Sequence, residues 1–505
     1  MKKKGSLFKI LGIVILAYAI LSWIIPAASS LGGDLKAAER MQTDLFGLIK
    51  VPFESFGVFA SVILFVVLVG VFYAILEETG VYEKALEKLA KKFNGREKIV
   101  LIAIISIVAV ISSITGLEVG MFITFPFIIS LLMLMGYDKL TALAATVGAT
   151  VIGIYGSTIS GVMYNVSNQV TSSVAYGIGS TTYKASLFSG IVVKILLLLL
   201  GLAALIFFTL RHANKVKAVV KEEKKEEKTK KEEKKSSKKA NSKKEEVVVK
   251  EEKPKKLWPL YTVLCVMLVI IILGTIDFEA LGVSIFTKFD EWFKGVKIFG
   301  FPLFGKLFGD IPALGTWGSF DNLSSGVRFT GYSFIMIIGS LILAAIYRIG
   351  PSRYFDAMTR GIKDYIIPGI LTALAYSVFI FTVYYPVFNT IGTWLVSLTK
   401  SFNVALSGLF SMISSVLYSN PFYAAGYGVT YLAQAAADVK VFNLITIMYT
   451  NLYGLMMLIA PTSVLLLTTL AITEVSYKDW IKYIWKLFLA LFVVSFVVLI
   501  IVFLV

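Results

Sequence analysis

The chain has 505 residues, of which 57% are hydrophobic and only 16% are charged, and its mean hydropathy is +0.81. Soluble globular domains carry about a quarter of charged residues, so this composition excludes a soluble enzyme and indicates a membrane protein. The net charge of +17 does not indicate nucleic-acid binding, because residues 211–257 alone contribute +9 of it. The remaining excess lies near the ends of apolar runs, where membrane proteins place it.

The single cysteine and the single histidine narrow the chemistry further. Cys265 lies within an apolar run, and His212 lies at the start of the charged segment. One residue of each kind excludes a disulfide framework, a zinc site and a Cys/His nucleophile. No Walker A, DxD or HExxH pattern occurs, so the machinery of an ATP-driven pump or a membrane protease is not visible. We therefore expect no enzyme and no cofactor, apart from a coupling Na⁺ or H⁺.

Apolar runs long enough to cross a bilayer, about 20 residues each, predict nine transmembrane spans. The first run follows three lysines and covers about 19 residues, which is longer than the core of a signal peptide. We therefore interpret it as a retained span. The predicted spans cover residues 7–26, 58–76, 140–163, 186–209, 258–276, 329–348, 365–386, 441–467 and 484–505.

Two further apolar stretches, 99–134 and 402–434, are too long for one span and too interrupted for two. The polar segment Ser112–Glu118 interrupts the first at its midpoint, and Ser414–Pro421 interrupts the second. Each stretch is predicted to form a re-entrant helical hairpin that enters and leaves on one side of the membrane. Such tips persist at membrane depth only where protein or water surrounds them.

The basic residues of the short loops predict the orientation of the chain in the plasma membrane. The N-terminus and the 211–257 linker would be cytoplasmic, and segments 27–57, 164–185 and 277–328 would be outside. Each half then has two spans, a hairpin and two more spans, and span 258–276 reverses the polarity between the halves. This order predicts an all-α, inverted-repeat secondary transporter. The predicted domains are a first repeat (1–210), a charged linker (211–257), a connecting span with an outer segment (258–328) and a second repeat (329–505).

Four polar clusters converge at mid-membrane in this arrangement: the two hairpin tips and a break in the span that follows each tip. The breaks lie at Gly156–Thr158 and Ala460–Ser463. Broken helices free backbone N–H and C=O groups, and half-helix N-termini suit a carboxylate. The predicted substrate-binding residues are Glu118, Ser157, Thr158, Ser160, Asn420, Asn451, Thr462 and Ser463, and Na⁺ could bind near Gly116 and Ser419.

Glu118 stands out among these residues, because an ionisable side chain at a hairpin tip is costly in a bilayer and indicates function. It could pair with a cationic substrate or carry a proton, or the tip could reach a vestibule where water solvates the carboxylate. Asn420 before Pro421 also fits a plain turn, and the hydroxyls also fit bonds to their own helices. Tyr164 near the first break could contact an ammonium group, although tyrosine is also typical of the membrane interface.

Seven short segments outside the linker are distinctive in composition. They are Glu78–Leu86, Phe125–Pro126, Gly136–Leu140, Gly156–Thr158, Asn451–Leu452, Ala460–Ser463 and Val475–Trp480. In these segments the chain resembles the YfcC-like proteins, which group with the four-carbon dicarboxylate anaerobic carriers and the arginine/ornithine antiporters in the ion transporter superfamily. The resemblance covers most of residues 40–490 without the linker, and implies one central site formed by hairpin tips and broken helices.

Three functions remain open at this point. The favoured one is exchange of basic amino acids, with Glu118 pairing the cationic side chain and half-helix N-termini holding the α-carboxylate. The alternative is a Na⁺- or H⁺-coupled carrier of dicarboxylates or other organic anions. We expect no Arg or Lys in the site, and this absence argues against a dianionic substrate. The third function is that of a membrane scaffold or receptor, in which the two polar-tipped hairpins would have no role. The expected partners are a small solute and the lipid bilayer, without nucleic acid, and the sequence also allows a homodimer.

Overall fold

The computed structural model describes residues 2–159, 161–234, 255–308, 314–324, 326–399 and 401–504. Within these ranges the chain is helical and has no β-strand beyond two isolated bridges, which confirms an all-α polytopic membrane protein. Eight helices in these ranges are long and apolar enough to cross a membrane. They are Gly5–Ile24, Ala60–Glu78, Glu97–Thr115, Ile191–Val216 (within a helix that extends to Lys234), Trp258–Thr275, Val327–Ile346, Pro351–Tyr384 and Tyr477–Leu504.

Shorter helices complete the described part of the chain. Those in and after the hairpins are Val119–Leu134, Lys139–Tyr155, Val162–Gly177, Val404–Leu417, Pro421–Tyr423 continuing to Ala436, Phe442–Met457 and Val464–Thr473. Those in the connections are Leu45–Val58, Tyr82–Lys92, Ile285–Gly295, Leu303–Phe308, Phe320–Ser324 and Val387–Ser397.

Seven of the eight long helices coincide with predicted spans, and the eighth, Glu97–Thr115, is the first arm of the first hairpin. The other two predicted spans are broken helices. The first broken helix consists of residues 139–155 and 162–177, and its break at residues 156–161 is called the first break. The second broken helix consists of residues 442–457 and 464–473, and its break at residues 458–463 is called the second break. The prediction that residues 164–185 form an outer segment is therefore wrong for 164–177. This half-helix is rich in Asn, Ser and Thr, and Asn165, Ser167 and Thr171 are buried within the protein.

Both hairpins form where the sequence predicted them, and local signals end their arms. Gly116 ends the first arm in the left-handed region with a φ of +64°, and its missing side chain is also required by packing. A Cβ there would lie 2.4 Å from the backbone nitrogen of Val162. In the second hairpin, Asn403 caps the first arm and Asn420 caps the second.

Two antiparallel helices, Ala60–Glu78 and Pro351–Tyr384, pack along much of their length. Their backbones meet at Gly70, where a Cβ would lie 2.7 Å from the carbonyl oxygen of Gly361. At one end of this pair Glu78 contacts Arg360 at 3.6 Å. The basic loops around residues 84–98 and 348–363 therefore lie at the same end of the molecule, as expected when basic loops share one side of a membrane.

The two hairpins enter from opposite ends. At the end where the first hairpin closes, Lys139 Nζ donates to the carbonyl of Thr473 at 2.7 Å. At the other end the ring of Tyr183 packs against Phe442, at a centroid distance of 5.4 Å. Each broken helix runs from one end to the other, so the two hairpin tips meet in the middle of the protein.

Candidate functional site

Tyr453 joins the two hairpin tips. Its hydroxyl oxygen lies 2.9 Å from Glu118 Oε2 of the first tip and 2.8 Å from the carbonyl oxygen of Ser419 in the second. All three residues are buried, and only 5% of Glu118 is exposed. A tyrosine hydroxyl has one proton to donate, so it can satisfy only one of these two acceptors at a time.

Arg328, near the start of the helix Val327–Ile346, lies beside the same tips. It is 6% exposed and lines a cavity together with Glu118, Tyr332 and Tyr376. It also lines a neighbouring cavity of about 60 Å³ with Asn420 of the second tip. Arg328 Nε has no hydrogen-bond partner among the described residues. The guanidinium group therefore has donor capacity next to both tips.

The cavity between Glu118 and Arg328 is small. Its volume of about 10 Å³ is close to what one water molecule requires. A solute the size of a dicarboxylate can therefore enter only after the tips separate.

Lys194 is a second buried cation, next to the first break. It is 2% exposed, and its Nζ donates to the carbonyl oxygens of Leu187 at 2.7 Å and Thr158 at 3.2 Å. The Nζ also lies 3.5 Å from the ring centre of Tyr164. Glu118, Lys194 and Arg328 are the buried charged residues of the described chain.

The expectation that the site contains no Arg or Lys is therefore wrong. Arg328 was assigned to the outer segment, one residue before the predicted span 329–348. Lys194 lies inside the apolar run that predicted a span, and a lone charge in such a run is the signal that singled out Glu118. The sequence therefore contains a signal for Lys194 as well.

Ser157 and Thr158 attach the first break to the first hairpin. The backbone nitrogen of Thr158 donates to the carbonyl oxygen of Ser113 at 2.9 Å, and Ser157 Oγ lies 3.5 Å from the same oxygen. Ser113 Oγ in turn donates to the carbonyl oxygen of Gly156 at 2.8 Å. These hydroxyls bind protein groups in this conformation. Ser160 lies outside the described residues.

The second break uses side chains for the same attachment. Thr462 Oγ1 donates to the carbonyl oxygen of Val416 in the second hairpin at 2.6 Å, and Ser463 Oγ accepts from the Leu466 nitrogen at 3.4 Å as a helix cap. Asn451 Nδ2 donates to the carbonyl oxygen of Tyr155, the last residue before the first break, at 2.9 Å. Asn451 thus connects the two broken helices.

Some of the predicted ligand residues already form contacts within the protein, and others have polar atoms without a partner. Asn420 Oδ1 accepts from the Phe422 nitrogen at 3.0 Å, and Gly116 forms the first tip's turn against the first break. By contrast Ser419 Oγ and Asn451 Oδ1 are buried without a hydrogen-bond partner in the described chain. Unpaired buried polar groups cost free energy, so these atoms suit a ligand.

The sequence matches the C4-dicarboxylate anaerobic carrier family, DcuC, over residues 5–504. The chain belongs to this family. Membership makes it a membrane transporter and not an enzyme, and confirms the dicarboxylate-carrier part of the resemblance. The YfcC-like and arginine/ornithine parts receive no support from this match.

One solved structure similar to this carrier is the YdaH transporter of Alcanivorax borkumensis, whose topology is described as unusual. The two chains are 13% identical, the alignment covers 99% of the carrier and 97% of that chain, and the TM-score is 0.37. This similarity is too low to support an argument. No curated protein matches the carrier.

Proposed function

We propose that the carrier moves a small dicarboxylate of the C4 type through the space between the hairpin tips. The observation that carries this proposal is the position of Arg328, which is buried, unpartnered at Nε and adjacent to Glu118 and Asn420. Guanidinium groups bind carboxylates through two parallel hydrogen bonds. A guanidinium buried at membrane depth without an ion-paired acid is costly, and an anionic substrate would supply the missing charge.

The charge balance at the tips supports an anion over a basic amino acid. Arg328 supplies one positive charge there, and Glu118 supplies a negative charge only when it is ionised. While Glu118 is protonated, the tips therefore have an excess positive charge that a substrate carboxylate offsets. A second guanidinium brought in by arginine would meet Arg328 at close range and be repelled.

We further propose that Glu118 carries the coupling proton. The Tyr453 hydroxyl lies between two acceptors, and a protonated Glu118 would donate to that hydroxyl and free it to bind the carbonyl oxygen of Ser419. The titratable groups facing Glu118 from the packed helices are Arg328, Tyr332, Tyr376 and Tyr453. No second carboxylate among the described residues lines this cavity, which makes Glu118 the candidate for the proton.

Transport by purified protein in proteoliposomes tests the substrate. We expect counterflow of labelled succinate but not of labelled arginine or ornithine. Arg328→Gln should lower the affinity for succinate at least ~30-fold, since it removes the charged partner of a desolvated carboxylate. Arg353→Gln is the matched control, because Arg353 is exposed at the end of the molecule. Arginine counterflow without succinate counterflow, or wild-type affinity in Arg328→Gln, would contradict the proposal.

The same vesicles test the proton. Glu118→Gln should abolish the response of succinate uptake to a pH gradient and leave succinate exchange nearly normal, because exchange need not move the proton. Glu87→Gln, at an exposed surface pair with Lys91, should keep the wild-type response. If Glu118→Gln retains the pH response, the proton is carried elsewhere. If aspartate exchange is lost while succinate exchange remains, Glu118 binds an ammonium group instead.

The orientation is also a proposal, with the N-terminus and the 211–257 linker in the cytoplasm. Residues 235–254 of that linker lie outside the described chain. On a Cys265→Ser background, a cysteine at Lys91 should react with membrane-impermeant maleimide only from inside, and one at Ser180 only from outside. Labelling of both positions from one side would overturn the assignment.

A further inference from the structure

We propose that the Lys194 ammonium group is a resident cation that takes the place of Na⁺ at the first break. The carrier would then bind no coupling Na⁺ at this break. The inference goes beyond the proposed function, because it concerns a group that contacts neither hairpin tip cavity. It rests on the cluster of oxygen atoms and the aromatic face around Lys194 Nζ.

The surroundings of Lys194 Nζ are those of a small cation site. Carbonyl oxygens freed by a broken helix are the usual ligands of Na⁺ in transporters with inverted repeats. Thr158 supplies such an oxygen from within the break, 3.2 Å from Nζ, and Leu187 supplies a second at 2.7 Å. The ring of Tyr164 covers a third side at 3.5 Å and offers its negative face to a cation.

All the hydrogen-bonding capacity of this ammonium group is used within the protein. A lysine ammonium has three N–H donors, and two carbonyl oxygens and one aromatic face account for them. None remains for a substrate carboxylate. Arg328 differs in this respect, because its Nε has no partner. We therefore infer that Arg328 binds the substrate and that Lys194 stabilises the first break.

The charge on Lys194 is not explained by an ion pair. The residue is 2% exposed, and no described carboxylate forms a salt bridge with it. A neutral donor would satisfy the two carbonyl oxygens without the cost of burying a charge. The second break does this, because Trp480 Nε1 donates to the carbonyl oxygen of Leu458 at 2.8 Å and the Tyr477 hydroxyl donates to that of Ile459.

The test is a melting experiment that needs no substrate, so it does not depend on the proposed function. Lys194→Ala leaves the carbonyl oxygens of Thr158 and Leu187 and the Tyr164 ring around a space that Na⁺ can occupy. Thermal unfolding, followed by the fluorescence of the seven tryptophans, is compared in sodium chloride and in choline chloride at equal ionic strength. We expect Na⁺ to raise the midpoint of Lys194→Ala by ~2 °C or more, in a saturable way, and to leave the wild-type midpoint unchanged.

Lys139→Ala is the matched control. Lys139 also donates to a carbonyl oxygen, that of Thr473, but at the end of the molecule and without an aromatic face. Its midpoint should be the same in both salts. If Lys194→Ala does not yield folded protein, Lys194→Gln replaces it, since the amide keeps a donor for one of the two oxygens.

Transport gives a second readout. Succinate uptake by the wild type should be equal in Na⁺ and choline buffers, and uptake by the folded Lys194 variant should become dependent on Na⁺. Equal Na⁺ stabilisation of wild type and variant, or no Na⁺ effect on either, would overturn the inference. If succinate is not transported at all, the proposed function fails, and the melting comparison still decides the role of Lys194.

Discussion

The two broken helices attach to their hairpins at corresponding places but with different chemistry. In the first half a backbone bond takes part: the Thr158 nitrogen donates to the carbonyl oxygen of Ser113, Ser113 Oγ donates to that of Gly156, and the tip contacts the break at Gly116. In the second half, the side chain of Thr462 makes the attachment, and neutral Tyr477 and Trp480 bind the freed carbonyl oxygens. The first half thus adds a backbone bond and carries the buried lysine, whereas the second half attaches through a side chain.

The cavities beside the two hairpins also differ. A cavity of about 310 Å³ borders the second hairpin, lined by polar residues that include Ser29, Asn389, Thr430 and Gln434. The first hairpin borders an apolar groove of about 220 Å³ that contains Thr124 and Cys265. Polar space therefore lies beside the second hairpin, whereas the space beside the first hairpin is apolar.

The largest effect should come from Gly116, the glycine of the first tip. Gly116→Ala would place a Cβ 2.4 Å from the Val162 nitrogen, at a φ of +64° that costs other residues about 1–2 kcal/mol before any overlap. We expect a loss of more than about 3 kcal/mol and little monodisperse protein in size-exclusion chromatography. Gly426→Ala in the second hairpin, where no atom lies within 4 Å of the added Cβ, should behave as the wild type. Similar behaviour of the two variants would remove the difference between the tips.

An intermediate loss of stability should distinguish Thr462 from Thr158. Thr462→Val deprives the carbonyl oxygen of Val416, near the end of a helix arm, of its hydroxyl partner and should cost about 1–3 kcal/mol. Thr158→Val should cost less, because the backbone nitrogen of Thr158 keeps its bond to Ser113. Melting midpoints of the two valine variants measure the order. A larger loss in Thr158→Val would contradict this order and the role of the backbone bond.

The smallest effect concerns the acidic residues that precede each broken helix. Asp138 bonds to His212 at 3.1 Å, whereas the exposed Asp438 caps only the Lys440 nitrogen at 2.9 Å. Burial opposes ionisation of Asp138, but hydrogen bonds from His212 and Thr141 outweigh it and lower the pKa of this carboxyl. Both partners are about a quarter exposed, so Asp138→Asn should cost at most about 1 kcal/mol at pH 7 and Asp438→Asn less.

The pH dependence follows from the direction of this pKa. A carboxyl with a lowered pKa in the folded protein stabilises it fully above its unfolded value, about 4, and loses that contribution as the pH falls. The difference in melting midpoint between wild type and Asp138→Asn should therefore shrink below about pH 4. A difference that persists in acid would mean that the aspartate acts only as a helix cap.

Much of the fold was predictable because local patterns determine it. Apolar runs located seven continuous spans, and the polar midpoints of two longer runs located both hairpin tips. The predicted convergence of each hairpin tip with the break that follows it corresponds to the observed contacts of Thr158 with Ser113 and of Thr462 with Val416. The half-helix Val162–Gly177 was missed, because a polar helix packed inside protein has no apolar run to reveal it.

The sequence by itself determined a nine-span, two-hairpin membrane protein with an ionisable tip, because bilayer thickness and backbone hydrogen bonding leave few other options for such apolar runs. Only the tertiary structure decided which charges meet. Tyr453 reaches Glu118 across 335 positions of sequence, Arg328 comes from the edge of a span, and Lys194 meets a carbonyl oxygen 36 residues away. Electrostatic partnership depends on distance in space, and inverted halves bring together residues that no local pattern connects.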